Sequence, residues 1–364
     1  MPAVSRRTVL KGAGAVTVGA AAGHLAGCGT GTEGKRRARE SERAGVLIVR
    51  DSGGSHGAAL RRSIYAPFTE ETGIRVETVH FLHGQMLDQI KRGDPRFDVM
   101  DIDMHVLEWF QQNDASQEID YDRLKNAKDV GIADFLLTSY GVGKSYWASV
   151  MGYHADAFGG RRPESWADFW DTKAFPGPRS LQSSFDLPEL EFALLADGVP
   201  MDKLYPLDVD RAFKSLDLIK DSVRTFWNSG DEPGALLVRR EVTATSGWQG
   251  RLEDRVRHGA PIRYEWNSAR RRANGYGIPK GSGNPDDAYR LIDYALRPQV
   301  QARYAEAFIT GPVTPAAYAY VPRSIAADLP SSPGNLFVGF DLDTEWWLEN
   351  MDEVTKRWQE WART

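Results

Sequence analysis

Apolar and polar residues in the first part of the chain follow a strand pattern and a helix pattern in turn. The predicted strands cover residues 45–49, 73–79 and 97–102, and the predicted helices run from a glycine-rich stretch to Phe68 and over residues 85–91. Strands that alternate with helices predict an α/β fold with a mostly parallel sheet. Ligands of such sheets bind beyond the carboxyl ends of the strands, where Asp51 and Asp103 fall.

Tryptophan-rich segments later in the chain have the spacing of helices with one apolar face. Ser165 is a suitable N-cap for a helix that carries Trp166, Phe169 and Trp170. Near the end of the chain, apolar residues recur at intervals of three and four: Trp347, Met351, Val354, Trp358 and Trp361. A single apolar stripe is typical of a helix packed on a core, so we expect core tryptophans here and not a ligand platform.

The first 27 residues have the organisation of an export signal, with a charged start, an apolar middle and small residues before a cleavage point. The paired arginines Arg6 and Arg7 resemble a twin-arginine signal, and residues 25–28, LAGC, resemble the bacterial lipobox, whose cysteine is acylated. Cys28 is the only cysteine in the chain and cannot form a disulfide within it. We therefore expect residues 1–27 to be removed, Cys28 to carry a membrane anchor, and residues 28–44 to form a tether at the outer face of the cytoplasmic membrane or in the periplasm.

Charge and length limit the function of the mature chain. Removal of residues 1–27 takes away three positive charges and moves the formal net charge from −5 to −8. A mature domain of this sign is a poor candidate for binding nucleic acid, which needs a basic face, so we expect no nucleic-acid partner. The roughly 320 residues after the tether are enough for two lobes with cores of their own.

One short motif favours an enzyme. Residues 53–57, GGSHG, fit the G-x-S-x-G nucleophile elbow and lie between a predicted strand and a predicted helix, which would make Ser55 the nucleophile of an exported serine hydrolase. Such an elbow has strands and an oxyanion loop upstream, whereas only the tether precedes this strand. A glycine-rich turn before a helix also presents backbone N–H groups to a ligand, and we favour that second interpretation.

Two other motifs fail on spacing. Residues 141–145, GVGKS, would need a glycine at position 138 to form a phosphate loop, and Thr138 stands there. His80 and His83 lie three residues apart, but further metal ligands are missing from their neighbourhood. We expect no metal and no cofactor.

A series of segments resembles the spermidine/putrescine-binding family of bacterial solute-binding proteins. The matching segments are FTEETGIRVET (68–78), FDVMDID (97–103), PESWADFWD (163–171), EFALLADGVP (191–200), EVTATSGWQGR (241–251), GYGIPKGSGNPDDAYRLIDYAL (275–296) and TGPVTP (310–315). The resemblance implies a two-lobe periplasmic-binding-protein fold of type II, in which hinge crossovers join the lobes and a solute binds between them. It implies lobe 1 from residues 45–148 and 268–314, and lobe 2 from residues 149–267 and 315–364.

The same resemblance implies a function and a set of partners. Members of this family capture a solute without catalysis and pass it to the permease subunits of an ABC importer. We accordingly expect a monomeric receptor for a polyamine or a related organic cation.

The resemblance also suggests ligand residues. Trp248, in SGWQGR, matches the tryptophan that packs against an aliphatic amine. Asp103 matches a small polar residue after the third strand, Asp186 and Glu189 match an acidic pair, and the loop that begins with Asp51 and Ser52 matches the first ligand loop.

The strongest departure from the family lies just before GYGIP. Polyamine binders have an aspartate there, whereas this chain has Asn274, preceded by the arginines 270–272. If Arg272 points into the cleft, it would repel a polycation and suit a carboxylate or a phosphate. The alternative solute is then a small anionic or zwitterionic molecule bound through Arg272 or Arg251. If Arg272 pairs with Asp103 or faces solvent, the cationic ligand remains compatible with the site. Both orientations stay open from the sequence.

Overall fold

The computed structural model describes residues 45–128, 131–183 and 187–363. Cys28 and the rest of the predicted signal and tether lie outside these ranges, and so does Asp186 of the predicted acidic pair. In the described part of the chain, no helix has both the length and the apolar composition that crossing a membrane requires.

Strands and helices alternate along much of the described chain. The strands are β1 (Val46–Arg50), β2 (Arg75–Val79), β3 (Val99–Asp103), β4 (Leu137–Thr138), β5 (Gly141–His154), β6 (Arg179–Gln182), β7 (Val223–Trp227), β8 (Ala244–Trp248), β9 (Ile262–Gly277), β10 (Gly311–Pro312) and β11 (Phe340–Asp341). The helices are α1 (Gly54–Leu60), α2 (Ala66–Thr72), α3 (His83–Lys91), α4 (Met104–Gln112), α5 (Lys125–Lys128), α6 (Trp166–Trp170), α7 (Leu190–Ala196), α8 (Val209–Ile219), α9 (Glu232–Val238), α10 (Gln249–Arg257), α11 (Pro285–Ala295), α12 (Pro298–Phe308), α13 (Arg323–Ala326), α14 (Pro333–Val338) and α15 (Thr344–Arg363). A π-helical turn, Arg61–Tyr65, joins α1 to α2.

Eight of these strands form the main path of one sheet, in the order β2-β1-β3-β9-β5-β8-β6-β7, while β4 and β10 pair with β5 and β11 pairs with β9. Its two ends are parallel, as predicted: β1 pairs with β2 and β3, and β6 pairs with β7 and β8. The centre is antiparallel, which differs from the prediction. The reason is that β5 and β9, of 14 and 16 residues, run in opposite directions between the two ends. We call the β1–β3 end with its helices the first half and the β6–β8 end the second half.

Each half has a hydrophobic cluster of its own. The first cluster takes its buried residues from positions 47–142 and 273–313. The second takes them from positions 151–219, from Ala244, and from positions 340–361. Trp347, Trp358 and Trp361 are buried in the second cluster, which confirms their predicted core role. A third, smaller cluster lies under α9 and α10.

Two helix starts show how local sequence sets the fold. Ser165 accepts a hydrogen bond from the backbone N–H of Asp168 at 3.2 Å and so caps α6, as predicted. Asp103 closes β3 and also caps α4, because its Oδ1 accepts from the backbone N–H of His105 at 3.1 Å. The turn from β3 into α4 therefore depends on a carboxylate that the sequence places in the candidate site.

Candidate functional site

The carboxyl ends of the parallel strands in the two halves face each other along β5 and β9. In the first half, β3 ends at Asp103 opposite Asn274 of β9. In the second half, β8 ends at Trp248 opposite Ser149 of β5. Asn274 lies opposite Ser145 of β5, so the two ends are four positions apart along β5, about 13 Å of strand. A site between the halves is therefore built into the strand register, where ligands of parallel sheets bind.

Asp103 and Arg272 form an ion pair in this gap. Arg272 Nε lies 3.0 Å from Asp103 Oδ2, and the two side chains are 1% and 11% exposed. Trp147, opposite Arg272 in the strand register, donates its indole N–H to the same oxygen at 3.0 Å. The Arg272 guanidinium carbon lies 4.5 Å from the centre of the Trp147 ring. Arg272 thus points into the gap and also pairs with Asp103. The sequence leaves these two arrangements open as alternatives, and in the structure they occur together.

His105 completes this charged cluster. Its Nδ1 lies 2.5 Å from Asp103 Oδ1 and 2.9 Å from Arg272 Nη2. Asp103, His105 and Arg272 line a cavity of about 390 Å³ between α4 and the segment that follows β11, with Glu108 and Asp343 on its walls. The cavity therefore joins the two halves at the predicted site.

Trp248 lies among aromatic side chains. Its ring centre is 5.5 Å from that of Trp147 and 5.7 Å from that of Trp227, with both pairs edge-to-face. A Cβ on Gly230 would lie 2.5 Å from the Trp248 ring, so only glycine fits there without a shift. The sequence does not identify Trp147 as a site residue, because it lies in an apolar segment that is typical of a core strand. Its partners in the site, Asp103 and Arg272, come from distant segments.

Glu189 is fully buried beside the site. Its Oε2 accepts from the backbone N–H of Gln182 at 2.9 Å and from the Ser246 hydroxyl at 2.7 Å. Its Oε1 has no hydrogen-bond partner among the residues that the structure describes. Burial raises the pKa of Glu189 to about 7, although nearby Arg270 and the two hydrogen bonds act in the opposite direction.

A second buried carboxylate, Glu191, holds Arg270 in place. Arg270 Nη1 lies 2.8 Å from Glu191 Oε2, and both side chains are fully buried. Tyr205 and Trp347 donate to Glu191 Oε1 at 2.6 and 2.7 Å. In the sequence, Glu191 stands out only because it lies two residues after the candidate ligand Glu189. Its pairing with Arg270 could not be inferred, since the two residues are far apart along the chain.

The first loop of the candidate site joins a buried network. Asp51 is buried, and its Oδ1 accepts from the backbone N–H of Gly53 at 2.8 Å. The exposed Ser52 hydroxyl lies 2.8 Å from His56 Nδ1, and the Tyr304 hydroxyl lies 2.6 Å from His56 Nε2. Burial, with smaller contributions from nearby cations, lowers the pKa of His56 well below its usual value. Burial thus favours the neutral form of His56, whose two ring nitrogens link the loop to α12.

Ser55 has different partners from those of a hydrolase nucleophile. Its hydroxyl contacts Arg251 Nη1 at 2.8 Å and Asp231 Oδ1 at 3.4 Å. The adjacent histidine, His56, instead hydrogen-bonds Ser52 and Tyr304. Arg251 thus belongs to a contact between the halves.

Asn274 of the predicted site and two other residues of the segments discussed above fall in separate places. Asn274 is half-buried in β9 beside Asp103. Arg271 lies on the other face of β9, where it pairs with Asp341 at 2.9 Å. Lys144 of the GVGKS segment is buried in β5 and binds both Asp101 oxygens at 2.6 Å. No group of three or more potential metal ligands occurs in the described ranges.

The chain is similar to known proteins over most of its length. Residues 63–331 match the family model described as bacterial extracellular solute-binding protein. The gamma-aminobutyric acid-binding protein of Pseudomonas aeruginosa is 29% identical over 327 residues, which are 87% of this chain and 90% of that protein. The spermidine/putrescine-binding periplasmic protein of Escherichia coli is 26% identical over 250 residues, which are 66% and 70% of the two chains.

A solved structure has the same fold. The ABC transporter substrate-binding protein from Bradyrhizobium japonicum superposes with a TM-score of 0.82 at 30% identity, over 87% of this chain and 99% of that one. The periplasmic-binding-protein fold predicted from the sequence is therefore confirmed. The similar proteins are solute-binding proteins, which also confirms the prediction of a receptor over that of a hydrolase.

Proposed function

Because this chain belongs to the family of bacterial extracellular solute-binding proteins, a family of ABC-transporter receptors, we propose that it captures a small solute with both an amine and a carboxylate. It then presents this solute to the permease subunits of its importer. The solute class is argued from the charges along β9.

The observation that carries the proposal is the inward position of Arg272 beside a buried carboxylate. Arg270 and Arg272 are two residues apart on one strand, so they share a face and lie about 7 Å apart. Glu189 lies beside Arg270, and its Oε1 has no partner in the described ranges. The face thus offers a guanidinium near one end and, near the other, a carboxyl group that burial keeps protonated below about pH 7. A bound ammonium group would favour the ionised form of that carboxyl group.

Each group of the solute has a matching partner in this arrangement. A guanidinium carries five N–H donors, enough to bind both Asp103 and a solute carboxylate. The proposed partners of the solute amine are Trp248 and Glu189, which lie beside the cavity and not on its walls, since an ammonium group is attracted to an indole face and to a carboxylate. The similarity to a gamma-aminobutyric acid-binding protein supports this class of solute.

A polyamine is the second candidate, and it is the one that the sequence favoured. Trp248, Asp103 and Glu189 support it, as does the similarity to spermidine/putrescine-binding proteins. Against it, Arg272 neutralises Asp103, and Asn274 supplies no charge. The carboxylates left for two ammonium groups are then Glu189 and, on the cavity walls, Glu108 and Asp343.

A thermal-shift panel tests the proposal. Gamma-aminobutyric acid, putrescine, spermidine, butyrate and butylamine are compared at equal concentrations. A bound solute stabilises the folded state by about 2.7 kcal/mol at 100 times its Kd. We expect gamma-aminobutyric acid to raise the melting temperature more than either single-charge analogue, and Arg272→Met to remove that gain. Shifts from putrescine and spermidine alone would instead establish the polyamine receptor.

The proposal includes the export and lobe assignments from the sequence. Residues 1–27 direct export, Cys28 carries the lipid, residues 28–44 form the tether, and the receptor acts as a monomer outside the cytoplasmic membrane. Lobe 1 comprises residues 45–148 with 268–314, and lobe 2 comprises residues 149–267 with 315–364. The separate hydrophobic clusters of the two halves support these boundaries.

A further inference from the structure

The two halves touch through an arginine that lies apart from the charged cluster around Asp103. Arg251 of α10, in the second half, donates to Ser55 Oγ at 2.8 Å and to the Gly53 carbonyl at 3.4 Å, both in the first half. Asp231, just before α9, lies 3.2 Å from Arg251 Nη1 and accepts from Ser55 at 3.4 Å. One ion pair of the second half therefore holds the loop that begins at Asp51.

The surroundings of Arg251 are shaped to fit its guanidinium. The side chain is 8% exposed, and its guanidinium carbon lies 5.6 Å from the centre of the Phe308 ring. A Cβ on Gly54 would lie 2.7 Å from Arg251 Nη1, and a Cβ on Gly230 would lie 3.2 Å from its Nε. Glycines from both halves thus leave the space that the arginine fills.

Arg251 does not line the cavity that contains Asp103, His105 and Arg272. Its contacts are with the loop, so its effect on a solute in that cavity passes through the loop. We propose that Arg251, held by Asp231, is a positioning residue that fastens the Asp51–Ser55 loop across the cleft in the closed state. This inference rests on the proposed function, because it assigns a role in closing the same site.

The consequence of losing this contact differs from the loss of a solute contact. Without Arg251, the closed state loses the two hydrogen bonds that this side chain donates across the cleft, to Ser55 and to the Gly53 carbonyl. If the closed fraction falls to about a tenth, every solute binds about tenfold more weakly, whatever its charge. A residue that binds a solute carboxylate would instead affect carboxylates alone.

The experiment measures opening without any solute. Spin labels at Arg92→Cys in the first half and Leu218→Cys in the second, in a Cys28→Ser background, report the distance between the halves. Arg251→Met keeps an unbranched aliphatic side chain at this position and removes the donors. We expect it to shift the distance distribution to longer values, and Ser55→Ala to shift it in the same direction by less.

Arg255→Met is the matched control, because Arg255 lies on the same helix and donates to the Asp231 carbonyl at 3.1 Å within the second half. We expect it to leave the distances unchanged. Unchanged distances in both Arg251→Met and Ser55→Ala would overturn the inference, and Ser55→Ala decides it alone if Arg251→Met does not fold.

Solute titrations are the second measurement. The affinities for gamma-aminobutyric acid and for putrescine should weaken together in Arg251→Met. If only the carboxylate-bearing solute is lost while distances hold, Arg251 is a solute ligand and the positioning role is wrong. A panel in which no solute binds would count against the proposed function, while the distances would still decide the role of Arg251.

Discussion

Glu189 gives the most quantitative prediction, because its burial ties protonation to folding. Its side chain is fully buried, and burial raises its pKa from 4.5 to about 7. The substitution Glu189→Gln keeps the size of the side chain and an acceptor for the Gln182 N–H, but it cannot ionise. Comparing the two proteins therefore isolates the free energy of placing this charge in the interior.

The sign follows from the numbers of bound protons. Between pH 4.5 and about 7, the folded protein holds the Glu189 proton while the unfolded chain has released it. Stability contributed by this group is therefore present at low pH and falls as pH rises through that window. A shift of about two and a half pH units corresponds to about 3 kcal/mol of unfolding free energy.

Urea unfolding at several pH values between 4 and 8 measures the effect. The unfolding free energy of the unsubstituted protein minus that of Glu189→Gln should fall by about 3 kcal/mol across this range and then level off. Glu118→Gln, at an exposed position, controls for the loss of one negative charge. A difference that stays constant with pH would refute the reasoning and mean that Glu189 is not held in the environment described.

The remaining predictions concern the core, the site and the anchor. Lys144→Met should lower the unfolding free energy by about 3–5 kcal/mol, because it leaves Asp101 buried without its cation. Adding Asp101→Asn should recover part of this loss in a double-mutant cycle measured by urea unfolding. Losses that simply add up in the double mutant would contradict the pairing. Trp248→Ala should abolish the solute-dependent thermal shift, whereas Trp361→Ala should lower the melting temperature and keep the shift; a normal shift in Trp248→Ala would remove Trp248 from the site. Cys28→Ser should stop incorporation of labelled palmitate and release the protein from membranes, and a variant that stays labelled would show that the anchor is elsewhere.

The sequence predicted the parts of the fold that depend on local pattern. The apolar runs and their spacing located β1, β2, β3 and α3 within a few residues, and the tryptophan stripe of α15 lies in the core as expected. These elements bury one face or both, so the hydrophobic pattern alone specifies them.

The strand β9 could not be recognised in the same way. It contains three consecutive arginines, a pattern that suggests solvent, yet all three are buried. Each is balanced by a carboxylate from a distant segment: Arg270 by Glu191, Arg271 by Asp341 and Arg272 by Asp103. Such pairs cannot be inferred from spacing along the chain, and they decide which face of β9 reaches the site.

Strand β9 lies between β3 and β5 in the sheet but comes after both of them, and after β8, in the chain. The sheet therefore cannot assemble in the order in which its strands are synthesised. In the first half, Met100 of β3 pairs with Gly277, and in the second half Tyr153 of β5 pairs with Arg263. Neither half can complete its hydrogen-bonded ladder until residues 262–277 have left the ribosome. A nascent chain shorter than this leaves one edge of β3 and one edge of β5 without a partner strand, and unpaired edges are templates for aggregation.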